Sequence, residues 1–427
     1  METEQQPATI GGSVEPGFEG VRAAFEQNFA EHGDVGAATA LYVGGRKVVD
    51  LWGGWVDTDA TTPYGEDTLQ LVFSSTKGPT ALLAHLLAER GELDIDAPVA
   101  EYWPEFAAAG KADVPVRWLL CHKAGLPYVT RPMSVVDALG WEAPVAALAT
   151  QEPEWEPGTA HGYHAVTYGW LVGEVIRRVT GRSVGQLLAD EVSGPLGLEF
   201  WIGLPDEQQS RVAPLTNRGL RRRGAAEAAA PATSMEAEEP PTLVATIEQF
   251  LGPDSLLIKA LGGFIEAGTG AYGFSGEGVF NRDDVRAAEL PAANGVGNAR
   301  SLARLYAAVV GTVEGSDRGP LLSAEQVERA RDVQTQGPDR VLILPTTFGL
   351  GFMTSSAMFP YGGATSFGHT GAGGSVSFAD PTNGIGFSYV MNRMYAGLAG
   401  DPRSISLIRA VYEAIGAEAP FLGTPFA

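Results

Sequence analysis

The sequence predicts a mixed α/β domain into which an all-α domain is inserted. Between about residues 93 and 290 the chain reads as helices joined by Pro- and Gly-rich loops. Strands from both chain ends should form one discontinuous domain, with the functional site in the cleft beside the inserted helices. The candidate strands span residues 37–43 and 47–55 near the N-terminus and residues 348–353, 375–379 and 385–391 near the C-terminus.

Local patterns define the elements on either side of the insertion. Residues 20–32 have helical spacing, and Gly44-Gly45 supplies the turn of the N-terminal hairpin. A leucine stripe runs along residues 79–90, which predicts a helix with one apolar face. A last helix is expected over residues 404–414.

These elements suggest the domain boundaries. Residues 1–16 are expected to be a disordered N-terminal lead. The α/β domain should comprise residues 17–92 and 291–427, and the helical domain residues 93–290. Within the helical domain, residues 218–241 are rich in alanine, glutamate and proline and cannot bury much surface. A flexible insertion is the simpler interpretation, and a lid over the site is the alternative.

The charge of the chain restricts its partners. The net charge of −22 at pH 7 repels phosphate backbones and anionic lipids, so neither nucleic acid nor membrane is expected as a partner. The N-terminal segment lacks a basic and apolar leader, and Cys121 is the only cysteine, so no internal disulfide can form. These features predict a cytoplasmic protein and leave its oligomeric state open.

Ser74 and Lys77 carry the first chemical motif, in the sequence FSSTKG ahead of a predicted helix. A serine hydroxyl is a weak nucleophile unless a base lies within hydrogen-bond reach. Residues three apart share one face of a helical turn, so the Lys77 amine can reach the Ser74 hydroxyl, and burial would lower the pKa of that lysine. On its own the motif also fits a capping serine followed by a solvated lysine.

Two later segments favour catalysis. Tyr163 lies between a Gly-rich turn and an amphipathic helix, and His369-Thr370-Gly371 is expected to begin a β-strand. A Ser-x-x-Lys, a later tyrosine and a His-Thr-Gly ahead of a late strand together resemble the serine β-lactamase and penicillin-binding-protein superfamily. Within it, the chain is most similar to the β-lactamase-like carboxylesterases usually called family VIII.

The resemblance implies both a fold and a catalytic group. The fold is the β-lactamase/transpeptidase-like one, an antiparallel sheet flanked by helices with an inserted helical domain. Ser74 would be the nucleophile, and Lys77 and Tyr163 the proton-handling pair. No metal or other cofactor is expected, because the six histidines form no ligand pattern.

The resemblance also implies the walls of the site. His369, Thr370 and Gly371 would bound the acyl site, and the backbone amides of Ser74 and Ala372 would be the oxyanion donors. Several aromatic residues are expected in the core, although one or two of them can line an apolar acyl pocket: Tyr128, Trp155, Tyr168 and Trp170.

Two departures from the lactamase pattern bear on the substrate. Ala165 stands where the lactamases have asparagine, and His369 where they have lysine. Without that amide and that fixed cation, a neutral site suits uncharged esters better than β-lactams. We therefore expect a carboxylesterase that cleaves short, uncharged esters of small molecules through an acyl-enzyme.

Two other functions and one competing nucleophile stay open at this level. The same fold could serve an acyltransferase of secondary metabolism, or a protein that hydrolyses or binds β-lactams. Ser183 lies in a Gly-x-Ser-x-Gly sequence, but a predicted helix rather than a strand precedes it, so a helix cap is expected there. His122 is expected to be structural, held by a loop carbonyl near Gly125.

Overall fold

The computed structural model describes residues 9–220, 249, 251–252, 254–262, 277–397 and 399–422. The predicted insertion therefore lies outside the described residues from position 221 onwards, as do residues 1–8 of the predicted lead. No helix in the described part of the chain is long and apolar enough to cross a bilayer. The division into an α/β domain and a helical domain at the expected boundaries stays a prediction.

Twelve strands occur in the described residues. They are β1 (Ile10–Val14), β2 (Gly36–Val43), β3 (Arg46–Gly54), β4 (Gln70–Leu71), β5 (Phe200–Trp201), β6 (Val296–Gly297), β7 (Thr335–Pro338), β8 (Pro345–Phe348), β9 (Met353–Thr354), β10 (Phe367–Thr370), β11 (Val376–Asp380) and β12 (Ile385–Met391). Nine of them form an antiparallel sheet in the order β1-β3-β2-β12-β11-β10-β9-β8-β7, and β4-β6-β5 form a small second sheet. The two chain ends meet where β2 pairs with β12.

Fifteen α-helices occur in the same described ranges. They are α1 (Glu19–Glu31), α2 (Lys77–Glu89), α3 (Val99–Tyr102), α4 (Val116–Leu120), α5 (Val135–Leu139), α6 (Glu142–Thr150), α7 (Thr167–Thr180), α8 (Val184–Leu188), α9 (Gly194–Leu196), α10 (Leu256–Gly262), α11 (Glu277–Phe280), α12 (Asp283–Ala287), α13 (Ala299–Val310), α14 (Ala324–Arg331) and α15 (Pro402–Ile415). Helices α2 to α9 follow one another between β4 and β5.

Helices cover both faces of the main sheet. Along β2, Ala38 and Ala40 belong to one core cluster and Ala37 and Leu41 to the other, because neighbouring residues of a strand point to opposite faces. Helix α13 packs on β12, β2 and β11, and α1 packs against α15. The central strands β2 and β12 are therefore apolar along almost their whole length. This arrangement confirms the predicted β-lactamase/transpeptidase-like fold.

The expected disorder of the N-terminal lead is wrong for its last residues. Ile10 to Val14 form β1, which pairs with β3 along five residues. The sequence IGGSV is short and weakly apolar, and its place in the sheet comes from backbone pairing with an existing edge strand. A Cβ at Gly12 would lie 2.0 Å from the carbonyl oxygen of Asp50, so close backbone approach explains that glycine.

Two strand predictions near the C-terminus also need correction. Residues 348–353 are not one strand, because β8 ends at Phe348 and β9 begins at Met353, with Gly351 in a left-handed turn between them (φ +90°). The motif at His369 does not begin a strand either. It lies at the end of β10, and the strand expected to follow it is the separate β11.

Candidate active site

Ser74 begins a short 3₁₀ turn that runs directly into α2. The helix begins at Lys77, two residues before the expected start, so Pro79 lies in its first turn, where backbone N–H groups have no helical partner. The residue before the nucleophile, Phe73, has φ +44° and ψ −129°. Such a conformation costs a non-glycine residue about 1–3 kcal/mol and is typical of functional sites. The Phe73 carbonyl accepts the backbone N–H of Thr76 at 2.9 Å, which helps to hold this turn.

The Lys77 amine lies within hydrogen-bond distance of three oxygen atoms and has no contact with solvent. Its Nζ lies 3.1 Å from Oγ of Ser74, 2.6 Å from the carbonyl oxygen of Ala165 and 3.0 Å from that of Ala292. Burial lowers the pKa of Lys77 well below its usual value. In the neutral amine, two N–H bonds can serve the two carbonyls while the lone pair faces the Ser74 hydroxyl. The structure thus brings the predicted nucleophile and its predicted base together.

Tyr163 lines the same cavity as Ser74. The Lys77 Nζ lies 4.7 Å from the centre of the Tyr163 ring. Burial raises the pKa of Tyr163, so its phenol keeps its proton at neutral pH, although the Ser74 side chain acts on that pKa in the opposite direction. The same cause therefore moves the pKa values of lysine and tyrosine apart.

The backbone of Tyr163 is held by a buried carboxylate that sequence reasoning missed. Oδ1 of Asp339 accepts the N–H of Tyr163 at 3.0 Å and the N–H of Val341 at 2.8 Å. Oδ2 accepts the Thr346 hydroxyl at 3.2 Å. Asp339 lies 176 residues from Tyr163 in the chain, so no local spacing could have revealed the pair.

His369 is a neutral side chain at the end of β10. Its Nδ1 lies 2.6 Å from the carbonyl oxygen of Thr370 and donates to it, which leaves Nε2 as an acceptor. Burial is the main cause that lowers the pKa of His369, to about 3. Nε2 is buried and has no partner among the described residues. The expectation that this position carries no fixed positive charge therefore agrees with its surroundings.

The loop after β10 passes close to the nucleophile. The N–H of Gly371 donates to the carbonyl of Ser375 at 2.7 Å, and a Cβ at Gly371 would lie 2.2 Å from the carbonyl oxygen of Val72. Only glycine allows this approach. Ala372 follows, half-buried, and lines the same cavity as Ser74. The proximity fits the predicted oxyanion site, whose two donors stay a prediction.

Two serines that sequence reasoning did not single out connect these segments. Oγ of Ser75 lies 3.2 Å from Oγ of Ser375 and 3.3 Å from the carbonyl oxygen of His369. The Ser375 hydroxyl also donates to the carbonyl of Val72 at 2.8 Å. All of these groups are buried, so the hydrogen bonds fix the loop after β10 against the turn that carries Ser74.

A cavity of about 110 Å³ opens beside Ser74. Its lining includes the polar side chains of Ser74, Tyr163 and His369. Tyr128, Trp155, Tyr168 and Trp170 are not among the lining residues, and Trp155, Tyr168 and Trp170 are buried, which fits the core placement expected of them rather than the alternative of a pocket wall. The apolar part of the lining comes from β9, the loop after it, β11 and α15: Met353, Met358, Phe359, Tyr361, Val376, Ile405 and Ile408.

A family model described as beta-lactamase matches residues 21–410. The chain belongs to the beta-lactamase family. It is 35% identical over 402 residues to the esterase/beta-lactamase LipL of Mycobacterium tuberculosis, covering 91% of this chain and 84% of LipL.

Solved structures resemble this family member over nearly its whole length. The crystal structure of a family VIII carboxylesterase superimposes with a TM-score of 0.80 and 37% identity, over 95% of this chain and 100% of the other. A penicillin-binding protein homologue from Caulobacter crescentus gives a TM-score of 0.78 and 38% identity over the same shares. The predicted superfamily is confirmed. One of the two structures is described as a carboxylesterase and the other as a penicillin-binding protein homologue, the two groups that the predicted resemblance combined.

Structural roles were predicted for Ser183 and His122 in this beta-lactamase family chain, and only one of the two predicted contacts is correct. Ser183 caps α8, where its hydroxyl accepts the N–H of Gln186 and donates to Glu289 at 2.5 Å, so the predicted helix cap is confirmed. His122 is structural as expected, but the predicted loop carbonyl is wrong. Its Nδ1 accepts the backbone N–H of His164 at 3.2 Å. Within the described ranges, no group of three or more His, Cys, Asp or Glu side chains could hold a metal ion.

Proposed function

We propose that this chain is a serine hydrolase that cleaves short, uncharged carboxylic esters through an acyl-enzyme on Ser74. The observation that carries the proposal is the buried Lys77 amine, whose Nζ lies 3.1 Å from Oγ of Ser74 while two backbone carbonyls occupy its other donors. A neutral amine in that position is a base aimed at a hydroxyl. The descriptions of relatives as esterase/beta-lactamase and as carboxylesterase support the same class of reaction.

The acylation step follows from the arrangement of the side chains. Lys77 accepts the Ser74 proton as Oγ attacks the ester carbonyl, and the negative charge that develops on the carbonyl oxygen lies toward the backbone amides of Ser74 and Ala372. Tyr163, whose phenol is protonated and which lines the same cavity as Ser74, is placed to pass a proton to the departing alkoxide. Since burial lowers the pKa of Lys77 and raises that of Tyr163, the two residues can act as base and acid of one coupled pair.

Deacylation uses the same pair. After acylation Lys77 carries the serine proton and Tyr163 has lost its own, so Lys77 passes its proton to the Tyr163 oxygen and both groups return to their starting states. A water molecule that replaces the alcohol then gives a proton to Lys77 as its oxygen attacks the acyl carbon, and Tyr163 returns a proton to the Ser74 oxygen as the acid leaves. Transfer of the proton from Lys77 to Tyr163 completes the cycle. No additional base is required. An added alcohol or amine that occupied the position of this water would give the transacylation product instead, so product analysis distinguishes a hydrolase from an acyltransferase.

The preference for uncharged esters rests on His369 and Ala165. His369 is neutral because its pKa is lowered to about 3, and Ala165 offers its carbonyl to Lys77 and has no side-chain amide for a substrate. A missing charge-assisted contact costs about 2 kcal/mol, or tens-fold in selectivity against an anionic β-lactam. The apolar part of the cavity lining, which includes Met353 and Ile408, favours an uncharged acyl group.

The test is a panel of p-nitrophenyl esters of increasing acyl length beside a chromogenic cephalosporin. We expect rapid turnover of the short esters, slow turnover of the cephalosporin and a transient acyl mass on Ser74. The variant His369→Lys should improve the cephalosporin relative to p-nitrophenyl butyrate. Turnover of the cephalosporin by the native protein at the rate of the butyrate would replace the esterase assignment with a β-lactamase.

A cytoplasmic location is part of this proposal and is supported by the lone Cys121.

A further inference from the structure

A buried ion cluster lies behind the loop that follows β10. Arg403, near the start of α15, is 3% exposed and is flanked by Asp34 and Asp401. Its Nη1 donates to Asp34 at 2.8 Å and to the carbonyl of Arg393 at 2.9 Å, and its Nε lies 3.1 Å from both oxygens of Asp401. Its Nη2 donates to Asp401 and to the carbonyl of Gly373, each at 2.7 Å. These bonds use all five N–H donors of the guanidinium.

The bond to Gly373 connects the cluster with the candidate oxyanion site. Gly373 follows Ala372, and both Gly373 and Gly374 have positive φ angles, of +84° and +117°. Two such glycines give the loop little stiffness of its own. Its position is therefore set by contacts. The N–H of Gly371 is held by Ser375 on one side of Ala372, and the carbonyl of Gly373 is held on the other.

The loop lies directly on the ion cluster. A Cβ added to Gly374 would lie 2.0 Å from Oδ2 of Asp401 and 2.7 Å from Nη2 of Arg403. The carbonyl of Gly373 accepts a second bond, from the N–H of Tyr395 at 2.9 Å. Burying three charged groups is costly, and stability alone is a weak reason for such a cluster. Its contact with this loop suggests another role.

We propose that Arg403 is a positioning residue that holds the backbone amide of Ala372 in place for the oxyanion. The inference rests on the proposed function, in which Ala372 is one of two oxyanion donors. Arg403 reaches the reaction only through the carbonyl of Gly373. Oxyanion donors act by being fixed in advance, and a shift of about 1 Å in a reacting geometry can cost a factor of about 100 in rate. Asp34 and Asp401 keep the guanidinium in place and neutralise it.

The test removes the forked set of N–H donors of the Arg403 guanidinium and keeps the positive charge at that position. In Arg403→Lys, a single ammonium cannot serve both carboxylates and the Gly373 carbonyl together. Arg178→Lys is the matched control, because Arg178 donates to the buried Glu174 at 2.7 Å on α7 and its guanidinium bonds only to carboxylates away from the loop after β10 within the described residues. Both variants are assayed with p-nitrophenyl butyrate under conditions where circular dichroism shows them to be folded.

A second measurement reports on the oxyanion itself. An alkyl trifluoromethyl ketone adds the Ser74 oxygen to its carbonyl carbon, the serine proton passes to Lys77, and the ketone oxygen becomes an anion in the oxyanion site. For Arg403→Lys we expect kcat to fall about 10- to 100-fold with KM within about threefold, and ketone affinity to fall in parallel. Arg178→Lys should change none of these values.

The outcomes separate this inference from the function on which it rests. If the native protein hydrolyses no ester, the proposed function fails and the inference fails with it. If the native protein is active and Arg403→Lys loses only thermal stability, with native kcat and ketone affinity, Arg403 is structural and the inference is wrong. Should Arg403→Lys not fold, Asp401→Asn gives the same readout, with a smaller parallel loss of kcat and ketone affinity expected; unchanged values there also refute the inference.

Discussion

The carboxylate of Asp339 holds Tyr163 by its backbone. Its Oδ1 accepts the Tyr163 N–H at 3.0 Å, while Oδ2 accepts the Thr346 hydroxyl at 3.2 Å. Asp339 lies in the turn between β7 and β8, so the edge hairpin of the sheet fixes the backbone of a residue that lines the same cavity as Ser74. The negative charge of Asp339 also adds to the effect of burial in raising the pKa of Tyr163.

Asp339→Ala should therefore lower the activity. The substitution removes the acceptor of the Tyr163 N–H, so the segment that carries the phenol can shift. We expect kcat with p-nitrophenyl butyrate to fall about 10-fold or more. Asp339→Asn is the control, because its amide oxygen keeps an acceptor, and it should retain most of the activity. Native kcat in a folded Asp339→Ala would contradict this role.

Ser74→Ala should abolish ester hydrolysis, whereas Ser183→Ala should keep most of it. Removal of the nucleophile should lower kcat by several orders of magnitude. Ser183 caps α8, so its loss should instead cost about 1 kcal/mol of unfolding free energy. Steady-state kinetics and urea unfolding of both variants check the two outcomes. Equal losses of activity would remove Ser74 from its assigned role.

Lys77→Ala and Tyr163→Phe should each lose most activity, and the double variant should be little worse than either. Lys77 is hydrogen-bonded to Ser74 and Tyr163 lines the same cavity, and under the proposed function both act on the serine proton. Residues that share one task are strongly non-additive. A double-mutant cycle on kcat measures the coupling. Effects that multiply would mean that the two residues work independently.

Lys77→Met should change how the free energy of unfolding depends on pH. The folded pKa of Lys77 lies well below the unfolded value of about 10.5, so between the two values unfolding takes up a proton. The free energy of unfolding of the native protein, relative to that of the Met variant, should therefore rise with pH through this window, by up to about 1.4 kcal/mol per pH unit. Urea unfolding of both proteins from pH 6 to 9 gives the difference. A difference that does not vary with pH would show that Lys77 is protonated in the folded state.

Part of this site could be predicted from the sequence because it depends on interactions between residues close together in the chain. The spacing of Ser74 and Lys77 and the capping role of Ser183 depend on neighbours within one helical turn, and the hairpin of β2 and β3 depends on its own alternation and turn. The identity of Tyr163 and His369 as site residues came from resemblance to a family. Their order along the chain, rather than their spacing, was the signal.

The remaining features depend on contacts between distant parts of the chain. Asp401 before Pro402 could have been read as a helix cap, which it is, but its buried partner Asp34 and the carbonyl of Gly373 reach Arg403 only through the fold. The apolar part of the cavity lining could not be predicted for the same reason. Residues such as Ile408 reach it from α15, far from every motif.

The two carbonyls that accept from Lys77 belong to Ala165 and Ala292, which lie 88 and 215 residues further along the chain. Until both segments are in place, Lys77 is an ordinary solvated ammonium and Ser74 an ordinary alcohol. A chain still emerging from the ribosome, or one that has lost either segment, therefore has no activated serine. Ester turnover in a sample should accordingly come only from chains that are completely folded.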